Sequence, residues 1–382
     1  MSKKGGNMLA RWISGAGFAV LLAGPSSAAG DKDLWDHFVP PPDQQFDWIQ
    51  LDSGEWLKGE IKVLYNYTLE FDSDELDLLK LDLDDVKKIR SCDPQEIMFE
   101  IKRRETEVLQ GIVELDGSEV KVINDSEVQT FKRSQLVSIA GGSNSKRDNW
   151  SGSASLGATL RGGNTETLDI TAMVNIKRRT AASRFNMDYI GNYSEVETSD
   201  KDTEKTAGNH RLSVYADWFL TGRFYWRIVD AEYYSDEFVN ISDQVSLATG
   251  IGYDVIRTAR TEWTANAGGG YQETGYDEVV PPADENSGSA FGTIGTRLDY
   301  EVTGDVDLIY DYTARFLSRE NGRYTHHMVA TLSYEIIHDL DLDISLIWDR
   351  MEDPEPVDDG VGGLDYPEQD DYQMVIGIGY SF

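Results

Sequence analysis

The chain has 382 residues, a net charge of −33, 35 glycines, nineteen tyrosines and nine tryptophans. Such acidity repels phosphates and argues against nucleic acid as a partner. So many aromatic residues exclude a disordered acidic chain, and a mean hydropathy of −0.44 excludes a helical membrane protein but not a barrel of alternating strands.

The chain opens as a secretory signal over residues 1–29. Lys3, Lys4 and Arg11 are basic, Ile13 to Leu22 is apolar, and Ser27-Ala28-Ala29 is a small-residue cleavage site. Cys92 is the single cysteine, so no intrachain disulfide is expected. Beyond the signal no run of eighteen apolar residues predicts a membrane helix. Residues 30–46, with Pro40-Pro41-Pro42, read as an extended linker.

Residues 47–142 carry an internal duplication. Leu57-Lys58-Gly59-Glu60-Ile61 recurs as Leu109-Gln110-Gly111-Ile112-Val113, and Val86-Lys87-Lys88-Ile89 recurs as Leu136-Val137-Ser138-Ile139. The offsets are 111 − 59 = 52 and 136 − 86 = 50. Short alternating runs between turn residues predict a small, strongly bent β-module. Two copies give either a pair of SH3-like barrels or one fused β-domain, structural in itself or docking peptidoglycan or a periplasmic protein. The polar stretch Asn144 to Asn149 marks the boundary.

From about residue 148 to 382 the chain falls into alternating runs of about ten residues, the length that crosses a bilayer when tilted. Twelve antiparallel strands are predicted at 149–161, 165–178, 182–196, 207–220, 223–235, 241–256, 261–275, 288–302, 305–318, 323–337, 341–352 and 371–382. The register of Tyr225 to Tyr234 is ambiguous and suggests a bulge. Connections alternate between short turns near Thr180, Thr221, Thr258, Gly304 and His338 and mostly longer loops, the two-sidedness of an outer-membrane barrel. The fold class is thus all-β: a transmembrane barrel of about twelve strands preceded by a small duplicated, SH3-like β-module. The expected location is the outer membrane of a Gram-negative bacterium, among its lipid and lipopolysaccharide, with the module in the periplasm.

Alternation also sorts the side chains. Arg211, Asp217, Arg297, Asp299, Asp311, Arg315, Glu335 and Asp349 fall on the inward face. Charges of both signs there predict a filled or nearly closed lumen; a small, weakly selective pore is the alternative. The acidic loop 353–370 lacks fixed calcium-ligand spacing. It reads as solvated, as does the run from Asp72 to Asp85, so no metal or other cofactor is expected. His326 and His327 near a strand end are the residues a surface hydrolase would use. No G-x-S-x-G element accompanies them, and the chain is not expected to be an enzyme.

The barrel region resembles the salt-induced outer-membrane proteins, a family of uncharacterised barrels. The resemblance rests on Trp150-Ser151-Gly152-Ser153-Ala154-Ser155-Leu156-Gly157, Gly163-Asn164-Thr165 and the closing Gly377-Ile378-Gly379-Tyr380-Ser381-Phe382. It implies the location and the fold, but no reaction or ligand. The final strand resembles the signal read by barrel assembly machinery, which Gly377, Tyr380 and Phe382 would carry.

Overall fold

Residues 45–381 are described by a computed structural model, apart from 66, 103–104, 125–126, 142–148, 162–165, 198–202, 280–284, 338, 359–362 and 366–367. The predicted signal peptide, most of the predicted linker, Gly163-Asn164-Thr165 and Phe382 lie outside the described residues.

Ten strands build the N-terminal module: β1 Asp47–Leu51, β2 Trp56–Tyr65, β3 Thr68–Ser73, β4 Asp77–Asp82, β5 Val86–Arg90, β6 Gln95–Lys102, β7 Glu105–Asp116, β8 Glu119–Ile123, β9 Val128–Lys132 and β10 Leu136–Ala140. Each copy of the repeat gives four strands, a 3-10 turn (Leu83–Asp85 or Arg133–Gln135) and a fifth strand. The copies do not close separately. The last strand of each pairs with the second strand of the other, β5 with β7 and β10 with β2. The ring β1-β5-β7-β6-β10-β2 then closes through β1–β2, with β3–β4 and β8–β9 as outlying hairpins. This is the fused alternative, and its one core draws on both copies: Ile49, Ile61, Phe71 and Val86 with Ile97, Phe99, Val113 and Ile139. The repeated glycine has a steric cause. A Cβ at Gly59 would lie 2.0 Å from the Asp72 carbonyl oxygen, and one at Gly111 2.7 Å from that of Ile123.

Asp47 closes the start of this ring. Its carboxylate accepts the backbone N–H groups of Ile61 and Cys92, each at 2.7 Å. Burial still raises its pKa above the ordinary carboxylate value. Burial, and then the charge of Asp47, push the neighbouring Cys92 thiol up to about 12. A disulfide reagent at pH 8 should therefore meet about a thousandfold less thiolate than on an ordinary cysteine. The higher nucleophilicity of a more basic thiolate recovers part of that, leaving reaction about 30- to 60-fold slower. Timed labelling in buffer and in urea measures this; equal rates in the two would contradict the partly buried geometry beside Asp47.

The barrel strands follow as β11 Trp150–Arg161, β12 Glu166–Arg179, β13 Ser183–Glu197, β14 Thr203–Phe219, β15 Phe224–Asp236, β16 Ile241–Thr258, β17 Thr261–Gly275, β18 Asn286–Thr303, β19 Val306–Phe316, β20 Gly322–Ile337 and β21 Leu340–Asp353. A small hairpin, β22 Val357–Asp358 and β23 Leu364–Asp365, stands in the last long loop before β24 Asp370–Ser381. The twelve long strands form a closed antiparallel barrel in chain order, β24 pairing β11. Closure leaves no sheet edge. The suspected bulge lies in β15, where pairing shifts between Arg227 and Asp230. Trp226 faces out before it, Ile228 within it and Tyr233 after it.

The outward face is apolar in its middle and aromatic at both ends. Trp150, Trp218, Trp226, Tyr253, Trp263, Tyr300, Tyr334 and Tyr380 are exposed toward the short turns; Tyr193, Tyr233, Tyr271, Phe316, Tyr324 and Tyr372 toward the long loops. On β24 the two rings stand 380 − 372 = 8 residues apart. At roughly 3.3 Å per residue this is about 26 Å along the strand, and about 20 Å in height at a tilt near 40°. Between them lie exposed Met374, Ile376 and Ile378.

Module and barrel belong to one compact unit, Pro42–Phe382. The module sits on the short-turn end. Met98 and Ala140 of the module join Ala181, Ala182, Phe219 and Tyr225 of the barrel in one buried cluster. Ser138 Oγ donates to the Ala181 carbonyl at 2.6 Å, and Ala259 N–H donates to Asp82 at 3.1 Å. The Arg179 guanidinium lies 3.7 Å from the Phe219 ring centre and 4.9 Å from that of Tyr65. The run from Asp72 to Asp85 is therefore not simply solvated: β4 faces the barrel mouth, and its Leu78, Leu79 and Lys80 line the lumen.

Candidate functional site: the barrel lumen

One cavity of about 850 Å³ runs the length of the barrel, from Lys80 at the short-turn end to Pro354 and Gln369 at the long-loop end. Period-two alternation supplies its walls, and the walls are strongly charged.

Three tiers of ion pairs cross it. Toward the long loops, Arg211 bridges Glu232 at 3.1 Å and Asp349 at 2.8 Å. Arg315 meets the same Glu232 at 2.7 Å, and His327 Nδ1 lies 2.8 Å from Asp349. Halfway down, Arg297 contacts Asp311 at 3.3 Å and Asp188 at 3.9 Å. Toward the module, Asp217 receives Arg184 and Arg227, each at 2.8 Å. Arg184 also reaches Glu262 at 3.1 Å, and Arg227 reaches Asp230 at 3.2 Å. The guanidinium groups lie against rings, Arg211 4.1 Å from the Tyr234 centre and Arg227 3.9 Å from that of Tyr215. Stacking and pairing together fix long side chains that would otherwise sweep the lumen.

Below the tiers the wall is acidic. Asp299, Glu301, Asp307, Glu335, Asp341 and Asp343 line the cavity there. Facing them are Lys177, 3.8 Å from Asp299, and Lys80 of the module.

The structure places Arg211, Arg297, Asp299, Asp311, Arg315, Glu335 and Asp349 on the cavity wall. Asp217 also points inward but is 1% exposed, packed between its two arginines rather than facing open space. Sequence reasoning missed Arg184, Arg227 and Glu232. Arg227 and Glu232 straddle the β15 bulge, which inverts the parity needed to assign them. Gly377 and Tyr380 lie on opposite faces of β24, Tyr380 exposed in the short-turn girdle and Gly377 facing in against β11. The two adjacent histidines also diverge. His326 stacks between Tyr312 and Trp348 among outward rings, while His327 belongs to the upper ion-pair tier. Among the described residues no cluster of His, Cys, Asp and Glu is arranged to hold a metal ion.

Comparison with solved structures returns barrels. The NanC porin aligns at TM-score 0.36 and 11% identity over 60% of this chain and 100% of its own. The transport unit of the autotransporter AIDA-I from Escherichia coli gives 0.29 and 12% over 61% and 89%. The outer membrane channel DcaP of Acinetobacter baumannii gives 0.26 and 13% over 76% and 94%. At these scores the likeness says nothing about role. Comparison with curated proteins gives no match. A family model matches residues 154–382, nearly all of the barrel, and the chain belongs to that family, described as "Protein of unknown function, DUF481".

Proposed function

We propose that the chain is a non-catalytic outer-membrane barrel whose lumen is a path for small solutes, held shut at the periplasmic end by its own N-terminal module. The apolar outer belt between two aromatic rings supports the membrane location. The observation that carries the channel reading is the single cavity, open in length through twelve strands and floored by Leu78, Leu79 and Lys80 of β4. The long loops then face lipopolysaccharide. The module faces the periplasm, where peptidoglycan or a periplasmic protein is within reach, and β24 is the strand the assembly machinery reads.

Planar-bilayer recording tests this. The full chain should give few or no steps, whereas a chain lacking residues 45–141 should give sustained steps. Its folding is checked by heat-modifiable mobility. Equal steps in both would remove the module's role as a plug. No steps in either folded protein would leave a closed, structural barrel.

A further inference from the structure

A second cavity, of about 460 Å³, lies between the module and the barrel's short-turn rim. Arg223, Phe224, Tyr253 and Arg257 form its barrel side; Tyr67 and Glu100 are on its module side. Tyr253 is 46% exposed and belongs to the outer aromatic ring, next to exposed Ile251 and Ile256. The cleft is therefore continuous with the apolar belt. Its polar end holds two guanidinium groups. Arg257 Nη1 donates to the Gly222 carbonyl, but its Nε is removed from solvent without a partner. Among the described residues the Arg223 guanidinium makes one long contact, 3.5 Å to the Val255 carbonyl. Tyr67 is held at φ 63°, left-handed backbone that a bulky residue rarely adopts, with its ring centre 5.1 Å from the Arg257 guanidinium.

We infer that this cleft binds one phospholipid of the inner leaflet, through a zwitterionic phosphoethanolamine headgroup. The phosphate takes the two arginines, where paired, charge-assisted hydrogen bonds are strongest. The ammonium takes the Glu100 carboxylate. An acyl chain lies along Phe224, Tyr253 and Ile251. The bound lipid touches both bodies, so it fastens the module over the lumen. The inference rests on the membrane location proposed above.

Native mass spectrometry of the delipidated full chain tests it, with phosphatidylethanolamine, phosphatidylglycerol or inorganic phosphate added. One phosphatidylethanolamine should survive activation that strips other lipids, with phosphatidylglycerol held at least threefold more weakly. Arg223→Gln and Arg257→Gln should each reduce retention about tenfold, and Glu100→Gln should erase the preference between the two lipids. Arg257→Gln also loses the bond to Gly222, so Arg223→Gln, whose side chain is exposed, decides the matter if the former misfolds. Equal retention by wild type and Arg223→Gln would overturn the site, as would displacement of the lipid by inorganic phosphate alone. Failure of the full chain to insert into vesicles of the two lipids would sink the membrane location itself; insertion without arginine-dependent retention would sink only this cleft.

Discussion

Asp217→Ala should destabilise the barrel by about 3 kcal/mol, the lower end of the cost of leaving buried charges unpaired. Two guanidinium groups converge on this one carboxylate, both at 2.8 Å. The remaining partners of Arg184 and Arg227, Glu262 and Asp230, keep the loss from being larger. Asp217→Asn should fall between, since it preserves an acceptor and loses the charge. Lys177→Ala is the control: its pair with Asp299 spans 3.8 Å with both side chains more than a third exposed, and it should shift stability by less than about 1 kcal/mol. Urea unfolding of the detergent-folded protein, followed by loss of the heat-modifiable band, measures all three. An Asp217→Ala value as small as that of Lys177→Ala would mean that water fills the lower tier.

Ile376→Arg should cost about 2–4 kcal/mol in a lipid bilayer. Ile376 is 58% exposed, and it stands midway between Tyr372 and Tyr380, since 376 − 372 and 380 − 376 are both 4. Its side chain therefore meets the bilayer midplane, where a guanidinium is farthest from either headgroup region. Tyr372→Arg, at the ring, should cost only about 0–1 kcal/mol because the charge reaches the interface. Equilibrium folding into phospholipid vesicles gives both values. On the surface of a water-soluble sandwich an exposed isoleucine exchanged for arginine would change stability by under about 0.5 kcal/mol. Near-equality of the two variants would therefore exclude a lipid-facing belt.

Strand positions were legible because lipid and lumen impose opposite demands on alternate residues. Most predicted spans fall within two or three residues of those observed. The largest miss is instructive. β14 begins at Thr203 rather than 207 because its first turns, Glu204 to Asn209, extend beyond the apolar belt. There backbone pairing continues while the alternating signal stops. The inward charges of β14, β18, β19 and β21 were legible for the same reason. Arg227 and Glu232 were not, because one inserted residue reverses the face. Nothing in the local pattern revealed that β4 meets the barrel mouth, since contacts between distant segments leave no period in either. Residues 72–85 alternate as an ordinary acidic hairpin, and its place at the mouth shows only in tertiary contacts such as that of Asp82 with Ala259 and the docking of Met98, Ser138 and Ala140 on the rim.

The exchange of strands between the two repeats limits how the lumen could be uncovered. β3 contributes Leu69 and Phe71 to a core that the second repeat also fills, and β2 beneath it is held by β10. Peeling the β3–β4 hairpin from the mouth would therefore disturb the core of both repeats at once. Under the plug reading proposed above, the lumen is uncovered when the module parts its rim contacts as one body, its own ring staying closed.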